Sequence, residues 1–314
     1  MDLSIVIVNW NSKEYLRRCI ASILAKTQGI EFEILVNDSA SFDGSGEMLR
    51  QNYPQVRFIQ SDMNLGFAKA NNKAFREACG RCILFLNPDT EFVSPAANIM
   101  FDYLNRLPEA GAIGCKLLNG DRSIQTSCIQ SFPTILNQLL GSEYLRRLWP
   151  KSSLWGMAPL FNFGKEPKEV DVISGACIMI KRAIFEWVGL FSEDYFMYAE
   201  DLDLCYKVKQ VGYKNYFIPK ATVVHFGGGS TQRIASAYSV VLMRESVWHF
   251  LRKTRGELYG LGYRFTMLVS ALGRLGIMLI FLPVFIVRKK VETWKLSMKK
   301  WRAIMEWSLG LKIG

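Results

Sequence analysis

The sequence predicts an α/β fold in which a mostly parallel β-sheet is flanked by helices and followed by a helical appendage. Two observations predict it. Short apolar runs rich in β-branched residues alternate with segments of helical periodicity between residues 3 and 117, as in βαβ units. Beyond residue 236 this alternation gives way to long apolar and basic segments. With 314 residues, half of them hydrophobic, the chain is long enough for a domain over 1–235 and an appendage over 236–314.

Each element follows from its own residues. Residues 3–8 form a continuous apolar run, typical of a strand buried on both faces rather than of a signal peptide. Ser12 is placed to cap the following helix, which should extend to residue 25. The next predicted elements are strand 32–36, helix 43–51, strand 56–60, helix 66–79, strand 81–86, helix 94–106 and strand 112–117. Later in the chain we expect strand 170–173, helix 199–211, strand 221–226 and helix 238–251.

Polar residues follow four of the predicted strands. They are Asn9-Trp10-Asn11, Asn37-Asp38-Ser39, Asp62-Met63-Asn64 and Asn87-Pro88-Asp89. Ligands of open α/β sheets bind beyond the carboxyl ends of the strands, so this rim is the predicted site. A single Asp there is usually a cap or turn residue, but four polar clusters on one rim indicate a ligand-binding or catalytic site. No GxGxxG follows the first strand and no GxxxxGK[ST] occurs, which argues against dehydrogenases and P-loop nucleotidases.

Seven segments resemble, in order, those of family 2 glycosyltransferases of the rhamnosyltransferase-like subgroup. They are LSIVIVNWNS (3–12), EILVNDSASFDGS (33–45), NLGFAKANN (64–72), LFLNPDTEF (84–92), SGACIMIKR (174–182), FMYAEDLDLCYKVKQVGY (196–213) and VVHFGGGST (223–231). The resemblance covers residues 3 to about 230. It implies a GT-A, Rossmann-like fold, a nucleotide-sugar donor, a divalent metal (Mn²⁺ or Mg²⁺) and inversion at the anomeric carbon.

Asp89 and His225 are the predicted metal residues. Asp89 follows an apolar strand and Pro88, and its carboxylate is a ligand that Mg²⁺ and Mn²⁺ favour. The resemblance places Asn87-Pro88-Asp89 at the family's DxD element, with the first carboxylate missing, and places His225 near the metal and diphosphate. The glycines over 227–229 suit a loop around a phosphate. The alternatives are a turn-capping Asp89 and a structural His225.

Three acids occur within Glu200-Asp201-Leu202-Asp203, at the start of a predicted helix. The helix dipole favours acids there, but three exceed what a cap needs. An attacking hydroxyl requires a carboxylate as general base. The resemblance assigns that role to Asp201, with Glu200 and then Asp203 as the alternatives. Glu200 would otherwise hold the acceptor or the groups around it, and Asp203 would brace the helix or pair with a base.

The resemblance also implies a set of donor-binding residues. They are Asn9, Asn11, Asp38, Asn64, Gly66, Phe67, Asn71, Asn87, Ser174 and Gly175. Asp38 would accept hydrogen bonds from the nucleobase or ribose, although Asn37 and Ser39 depart from the family's usual residues beside it. Turn, helix-start and strand-start roles remain open for these positions. Tyr195, Phe196 and Tyr198 are equally an acceptor platform or part of the core.

The basic charge is concentrated in the last fifth of the chain. Residues 251–314 contain 13 Lys and Arg against 3 acids, whereas the preceding residues carry 26 against 25. The apolar run over 265–287 is interrupted by Arg274 and Pro283, so it either spans a membrane or lies in its plane. Trp294, Met298, Trp301 and Met305 recur at helical spacing among lysines, which is typical of an interfacial membrane helix. Packing on the body or a homodimer contact is the alternative, and nucleic acid is disfavoured by the apolar content.

The sequence therefore predicts an inverting transferase that extends a lipid-linked glycan in cell-surface polysaccharide assembly. It would act at the cytoplasmic face of the cell membrane, bound peripherally or shallowly inserted. Seven cysteines without framework spacing indicate reduced thiols in a cytosolic setting. One alternative is a polyprenyl-phosphate glycosyltransferase, a group in which the resemblance implies a fuller acidic DxD and two clear terminal spans. The other is a non-catalytic glycan- or nucleotide-binding homologue, which the retained Asp89 and Asp201 disfavour.

Overall fold

The computed structural model of the protein describes residues 1–140, 152, 164–227, 237–289 and 291–311. The described chain divides into two compact units. The first contains residues 1–132 and 164–227, and the second contains residues 133–140 and 237–311. The predicted domain boundary after residue 235 lies outside the described residues and stays a prediction.

The first unit is built on a mixed sheet. Its described strands are β1 (Leu3–Asn9), β2 (Phe32–Ser39), β3 (Arg57–Ser61), β4 (Cys82–Leu86), β5 (Thr90–Phe92), β6 (Ala110–Leu118), β7 (Ile129–Gln130), β8 (Lys168–Val170), β9 (Val172–Ile173), β10 (Cys177–Lys181) and β11 (Lys214–His225). The main sheet has the order β3-β2-β1-β4-β10-β6-β11-β5, with β8 on β11, while β7 pairs with β9.

The described helices are divided between the two units. They are α1 (Lys13–Lys26), α2 (Ser45–Asn52), α3 (Gly66–Phe75), α4 (Ala96–Arg106), α5 (Ile135–Leu140), α6 (Arg182–Trp187), α7 (Glu200–Gln210), α8 (Ala237–Arg255), α9 (Glu257–Ile280), α10 (Leu282–Val287) and α11 (Val291–Ser308). α5 and α8 to α11 belong to the second unit.

The predicted parallel βαβ arrangement forms the first half of the sheet. β1 pairs in parallel with both β2 and β4, and β2 pairs in parallel with β3. Leu3, Ile5, Val6 and Ile7 are completely buried, as expected for a strand covered on both faces. β1 and β2 end in register, with Asn9 opposite Asp38, so the polar rim forms where the sequence predicts it.

The second half of the sheet contains antiparallel strands that the alternation does not reveal. β10 lies antiparallel between β4 and β6, with Cys177 opposite Leu86. The residues before β10 therefore lie beside those after β4. β11 runs antiparallel to β5, with His225 opposite Thr90. These two pairings place the segments 174–176, 87–89 and 225 at the same rim.

Local predictions at the start of α1 and the end of β2 are wrong in two respects. Ser12 makes no side-chain cap on α1, because its hydroxyl donates to the Trp10 carbonyl 3.1 Å away. A carboxylate oxygen of Asp43 accepts the Lys13 amide at 2.8 Å instead, and a charged acceptor makes the stronger bond. β2 was expected to end at residue 36 but continues through Ser39, because β3 extends the ladder to Ser61. Asp38 therefore lies within a strand rather than after it.

The second unit is a bundle of helices. α8 and α11 confirm the predicted helices over 238–251 and around Trp294 and Trp301. Tyr263 and Met267 of α9 are buried, and Trp307 of α11 packs edge-on against the Tyr263 ring. Within the described residues, α9 is the one helix whose length and composition suffice to cross a membrane.

Candidate active site

Asp89 and His225 meet at the rim of the sheet. The Nε2 atom of His225 lies 3.3 Å from Oδ1 of Asp89, and the Asn87 side-chain amide donates to the same Nε2 at 3.3 Å. Asp89 is buried, and the side chain of His225 is 15% exposed. The structure therefore brings His225 beside Asn87 and Asp89, although His225 follows Asn87 by 138 positions in the sequence.

Gln125 orients the imidazole of His225. Its side-chain oxygen lies 2.8 Å from Nδ1 of His225. An amide oxygen only accepts, so Nδ1 donates to it and Nε2 is the ring nitrogen next to Asn87 and Asp89. A histidine whose second nitrogen is held by an outer hydrogen bond is the usual form of a metal-ligating histidine.

The spacing of these two side chains fits a divalent cation. Ligands on adjacent octahedral positions of Mg²⁺ lie about 3 Å apart, close to the 3.3 Å between Asp89 Oδ1 and His225 Nε2. A carboxylate and an imidazole together suit Mn²⁺ as well. Among the described residues, no group of three or more His, Cys, Asp and Glu could hold a metal. Donor phosphates and water would have to complete the coordination, and Gly228 and Gly229 lie outside the described residues.

The second cluster of the site is centred on Asp201, in the first turn of α7. Its Oδ2 accepts the Gly175 amide at 2.9 Å, and its Oδ1 accepts the Leu202 amide at 2.9 Å. The helix begins after two left-handed residues that are not glycine, Tyr198 with a φ of 70° and Ala199 with a φ of 64°. Each costs roughly 1–2 kcal/mol, and such strain is concentrated at functional sites. The turn therefore holds the Asp201 carboxylate in place against Gly175.

A backbone contact joins the two clusters. The Asn87 amide donates to the Ala176 carbonyl at 3.0 Å, and Ala176 directly follows the residue that binds Asp201. The Ser174 hydroxyl accepts the Ala176 amide at 3.3 Å. The loop that enters β10 thus contacts Asn87 through its Ala176 carbonyl and Asp201 through its Gly175 amide.

The predicted nucleobase residues form a buried network at the ends of β1 and β2. Asn9 donates to Asp38 at 2.7 Å and to the Ser41 hydroxyl at 3.2 Å, and Asp38 also accepts the Ser41 amide at 2.8 Å. Asn11, in a left-handed conformation, accepts the Phe42 amide at 2.9 Å. The buried Oδ1 of Asn9 has no hydrogen-bond partner among the described residues, so it is available as an acceptor. The donor-binding role of these residues stays a prediction.

Gly66 is required by a protein contact. Its φ is +74°, and a Cβ there would lie 2.4 Å from the backbone oxygen of Phe196. The Phe67 amide donates to that same oxygen at 3.1 Å, so this helix-start amide is occupied within the protein. Asn64 accepts the Gly66 amide at 3.0 Å, and Asn71 donates to the Phe67 carbonyl at 3.0 Å. The segment fastens the turn before α7, and contact with the donor stays a prediction.

Two of the three aromatic residues predicted as an acceptor platform or core, Tyr195 and Phe196, differ in their surroundings. Tyr195 is buried and contacts Asp203, so it is part of the core. Phe196 is 45% exposed and remains suitable for an acceptor platform. Asp203 accepts the Ser192 hydroxyl and pairs with Lys207 at 3.4 Å, as expected for a bracing residue.

Two polar residues of the site region are absent from the sequence prediction. Gln125 orients His225 from a position 100 residues away, and no local pattern marks it. Asn72 is buried and exchanges hydrogen bonds with the backbone of Phe191, which fastens α3 to the segment that leads to α7. Its position directly after Asn71, within NLGFAKANN, was the signal that could have identified it.

Comparison with known families identifies the transferase domain. The sequence model of glycosyl transferase family 2 matches residues 4–189, more than half of the chain. The chain belongs to this family. The predicted family is thereby confirmed, and the protein is an enzyme that acts on nucleotide sugars. The match ends before Asp201 and His225, so the roles of these two residues stay predictions.

The relatives of this glycosyltransferase confirm the predicted subgroup. The N-acetylglucosaminyl-diphospho-decaprenol L-rhamnosyltransferase of Mycobacterium tuberculosis is 28% identical over 84% of this chain and 89% of its own length. Rhamnosyltransferase WbbL of Escherichia coli is 24% identical over 71% of this chain and 82% of its own. Mannosyltransferase PcManGT of Pyrobaculum calidifontis, solved with GDP-Man and Mn²⁺, superposes with a TM-score of 0.61 at 15% identity, covering 98% and 86% of the two chains. This likeness confirms the predicted GT-A fold.

Burial raises the pKa of both adjacent acids of the glycosyltransferase, Glu200 and Asp201. Burial, and secondly the neighbouring Asp201 carboxylate, raise the pKa of Glu200 from 4.5 to about 8. Burial also raises the pKa of Asp201, while the amides of Gly175 and Leu202 lower it by stabilising the ionised form. Glu200 Oε2 has no hydrogen-bond partner among the described residues. With a pKa of about 8, Glu200 is mostly protonated at pH 7, whereas two backbone amides favour the ionised form of the Asp201 carboxylate.

The raised pKa of Glu200 predicts that the stability of the protein decreases as pH rises. Glu200→Gln should remove this part of the pH dependence. Because folding raises the pKa of Glu200 from 4.5 to about 8, the native state binds more protons than the unfolded state between these values. The contribution of Glu200 to the free energy of unfolding is fully present below pH 4.5. It is lost as pH rises to about 8, by at most ~1.4 kcal/mol per pH unit. Glu200→Gln should therefore raise the melting temperature relative to the wild type more at pH 8 than at pH 5.

The control is Glu186→Gln, which removes an exposed carboxylate paired with Arg182 on α6. Its melting temperature should differ from that of the wild type by a small and pH-independent amount. A Glu200→Gln difference that is equally constant with pH would show that Glu200 titrates normally in the folded protein.

Proposed function

We propose that the protein is an inverting, metal-dependent glycosyltransferase that moves a sugar from a nucleotide sugar to a hydroxyl of a lipid-linked glycan. dTDP-rhamnose is the first candidate donor and a UDP-sugar the second. The proposal depends on one observation: the loop that enters β10 contacts both the Asp201 cluster and the cluster of Asn87, Asp89 and His225. Gly175 holds the Asp201 carboxylate, and Ala176 holds Asn87 beside Asp89 and His225. This connection supports a mechanism in which the base and the leaving-group site are held by the same loop.

In this mechanism Asp201 accepts the proton of the acceptor hydroxyl. The hydroxyl oxygen forms a bond to the anomeric carbon as the bond to the nucleotide diphosphate breaks, and attack from the opposite face inverts the configuration. Burial of Asp201 makes its carboxylate a stronger base than an exposed aspartate. The amides of Gly175 and Leu202 keep it oriented. Neutral Glu200 is suited to donate a hydrogen bond to the acceptor.

Asp89 and His225 would hold the divalent cation, with Gln125 and Asn87 fixing the imidazole. When bound, the cation stabilises the negative charge that develops on the departing diphosphate. The Mn²⁺ in the mannosyltransferase structure supports this choice of metal.

The relatives support the choice of sugar and acceptor. Two are named rhamnosyltransferases, and the mycobacterial relative's name specifies an N-acetylglucosaminyl-diphospho-decaprenol acceptor. An acceptor of this kind, in cell-surface polysaccharide assembly, supports action of the enzyme at the cytoplasmic face of the cell membrane. A polyprenyl-phosphate acceptor is the second candidate, and it is distinguished by transfer to the lipid phosphate without a preceding sugar.

Donor and metal dependence are tested together by thermal unfolding with a panel of nucleotide sugars, each with and without Mn²⁺. A donor at 100 times its Kd should stabilise the protein by about 2.7 kcal/mol. We expect one donor to raise the melting temperature strongly, and only with Mn²⁺. Free nucleotide and Mn²⁺ alone are the controls. If no nucleotide sugar stabilised the protein with any divalent metal, the proposal would be wrong.

A further inference from the structure

α9 carries an exposed apolar stripe along its whole length. The residues of the stripe are Leu258, Leu261, Phe265, Val269, Leu272 and Leu279, and each is more than half exposed. Their spacing of three, four or seven residues places them on one face of the helix. At 1.5 Å per residue the stripe extends for about 32 Å. A contiguous apolar surface of this length indicates an interaction site.

The charged residues of α9 lie off the stripe. Between residues 258 and 280 the charged residues are Arg264 and Arg274. The guanidinium of Arg274 stacks 4.5 Å from the centre of the Trp301 ring, and that of Arg264 lies 5.2 Å from Trp307. Both arginines are thus engaged by α11. The stripe itself therefore presents no charge.

The packing of α11 along α9 argues against a membrane span. Trp301 and Trp307 contact Arg274 and Arg264, and the Trp294 indole donates to the Met278 carbonyl at 2.9 Å, so the two helices run antiparallel over most of their length. The exposed surface of α11 carries four cations, Lys295, Lys299, Lys300 and Arg302. A spanning α9 would draw these cations into the hydrocarbon, which is strongly unfavourable.

We infer that the stripe of α9 lies flat in the boundary between headgroups and acyl chains of an anionic lipid bilayer. The sequence leaves spanning and in-plane arrangements open, and the packing of α11 favours the in-plane one. Phe281, directly before α10, and Ile286 and Val287 of α10 continue the apolar surface, and the exposed Arg288 and Lys289 follow. The 13 basic and 3 acidic residues over 251–314 complement anionic headgroups. The inference rests on the proposed function only for the presence of a lipid-linked acceptor.

The first test is binding of the full chain to vesicles of phosphatidylcholine, with and without phosphatidylglycerol, followed by flotation. We expect binding that is strengthened by phosphatidylglycerol, and Phe265→Glu should weaken it about tenfold or more. The matched control is Trp187→Glu on the first unit, because Trp187 is 64% exposed and Phe265 67%. Equal binding by wild type and Phe265→Glu, or equal losses in both variants, would overturn the inference. Leu272→Glu repeats the test at a second position, and melting temperatures verify folding.

The second test measures depth with a fluorophore on single cysteines at positions 258, 269 and 280, in a Cys79→Ser background that removes the exposed thiol. Quenching by lipids labelled at defined depths should place all three probes at the same shallow level. A span would place the probe at 269 near the bilayer centre and the outer two near opposite surfaces, contradicting the inference.

Further measurements on the full chain distinguish a dimer contact from membrane binding, and failure of this inference from failure of the proposed function. A dimer in light scattering that Phe265→Glu dissociates, together with absence of vesicle binding, would assign the stripe to a second copy of the chain and overturn the inference. Vesicle binding requires no catalysis. A protein that binds vesicles but is not stabilised by any nucleotide sugar would therefore refute the proposed function and leave the membrane inference standing.

Discussion

Asp201→Asn should abolish sugar transfer while leaving donor binding intact. The side-chain amide of the variant retains one oxygen, which can accept the Gly175 hydrogen bond and keep the link to the loop, while the Leu202 amide loses its side-chain acceptor. The variant side chain cannot accept the proton of an acceptor hydroxyl, and loss of a general base lowers turnover by about 10²- to 10⁴-fold. Steady-state transfer to a lipid-linked acceptor measures kcat, and thermal shift with the nucleotide sugar measures donor binding.

The neighbouring acids are matched controls for this assignment. Asp203→Asn alters a residue of the same helix that pairs with Lys207, so it should lower stability and retain transfer per folded molecule. Glu200→Gln should raise KM for the acceptor more than it lowers kcat, because Glu200 is already mostly protonated at pH 7. A full loss of kcat in Glu200→Gln or Asp203→Asn, with normal turnover in Asp201→Asn, would move the base to another residue.

Asp89→Ala should remove most of the Mn²⁺ affinity and slow transfer by about two to three orders of magnitude, since the metal supplies several kcal/mol of transition-state stabilisation. The backbone oxygen of Asp89, which accepts the Phe226 amide at 2.9 Å, is retained in the variant. Paramagnetic resonance of Mn²⁺ in the presence of nucleotide measures the affinity, and transfer at saturating Mn²⁺ measures the rate.

Asp102→Ala is the corresponding control, because Asp102 is half-exposed and pairs with Arg106 on α4. It should leave Mn²⁺ affinity and turnover unchanged. If Asp89→Ala bound Mn²⁺ as tightly as the wild type and transferred at the same rate, the metal would not lie between Asp89 and His225.

The parallel half of the sheet and the second unit's helices could be predicted because their patterns are local. The continuous apolar run of β1 requires burial on both faces, and helical spacing marks α8 and α11. Asp89 and Asp201 could be singled out because each stands in a short motif at the end or start of an element. Helix ends were less accurate: α3 ends at Phe75 rather than residue 79.

Local patterns do not encode which distant segments meet. Only the tertiary structure shows that β10 is antiparallel between β4 and β6, which brings Gly175 and Ala176 beside Asn87. Gln125 orients His225 across 100 residues, through a contact that no spacing in the sequence reports. Gly66, expected to approach a ligand, instead approaches the backbone of Phe196.

The same division applies to the second unit. The sequence by itself determined that the C-terminal segments are helical, basic and apolar, because composition and periodicity are properties of contiguous residues. It left open whether α9 spans a membrane or lies in its plane. The structure favours the second arrangement, because Arg274 stacks on Trp301 and keeps α9 beside a helix that bears exposed lysines. Packing between helices, rather than the hydropathy of one helix, decides how an apolar helix can meet a bilayer.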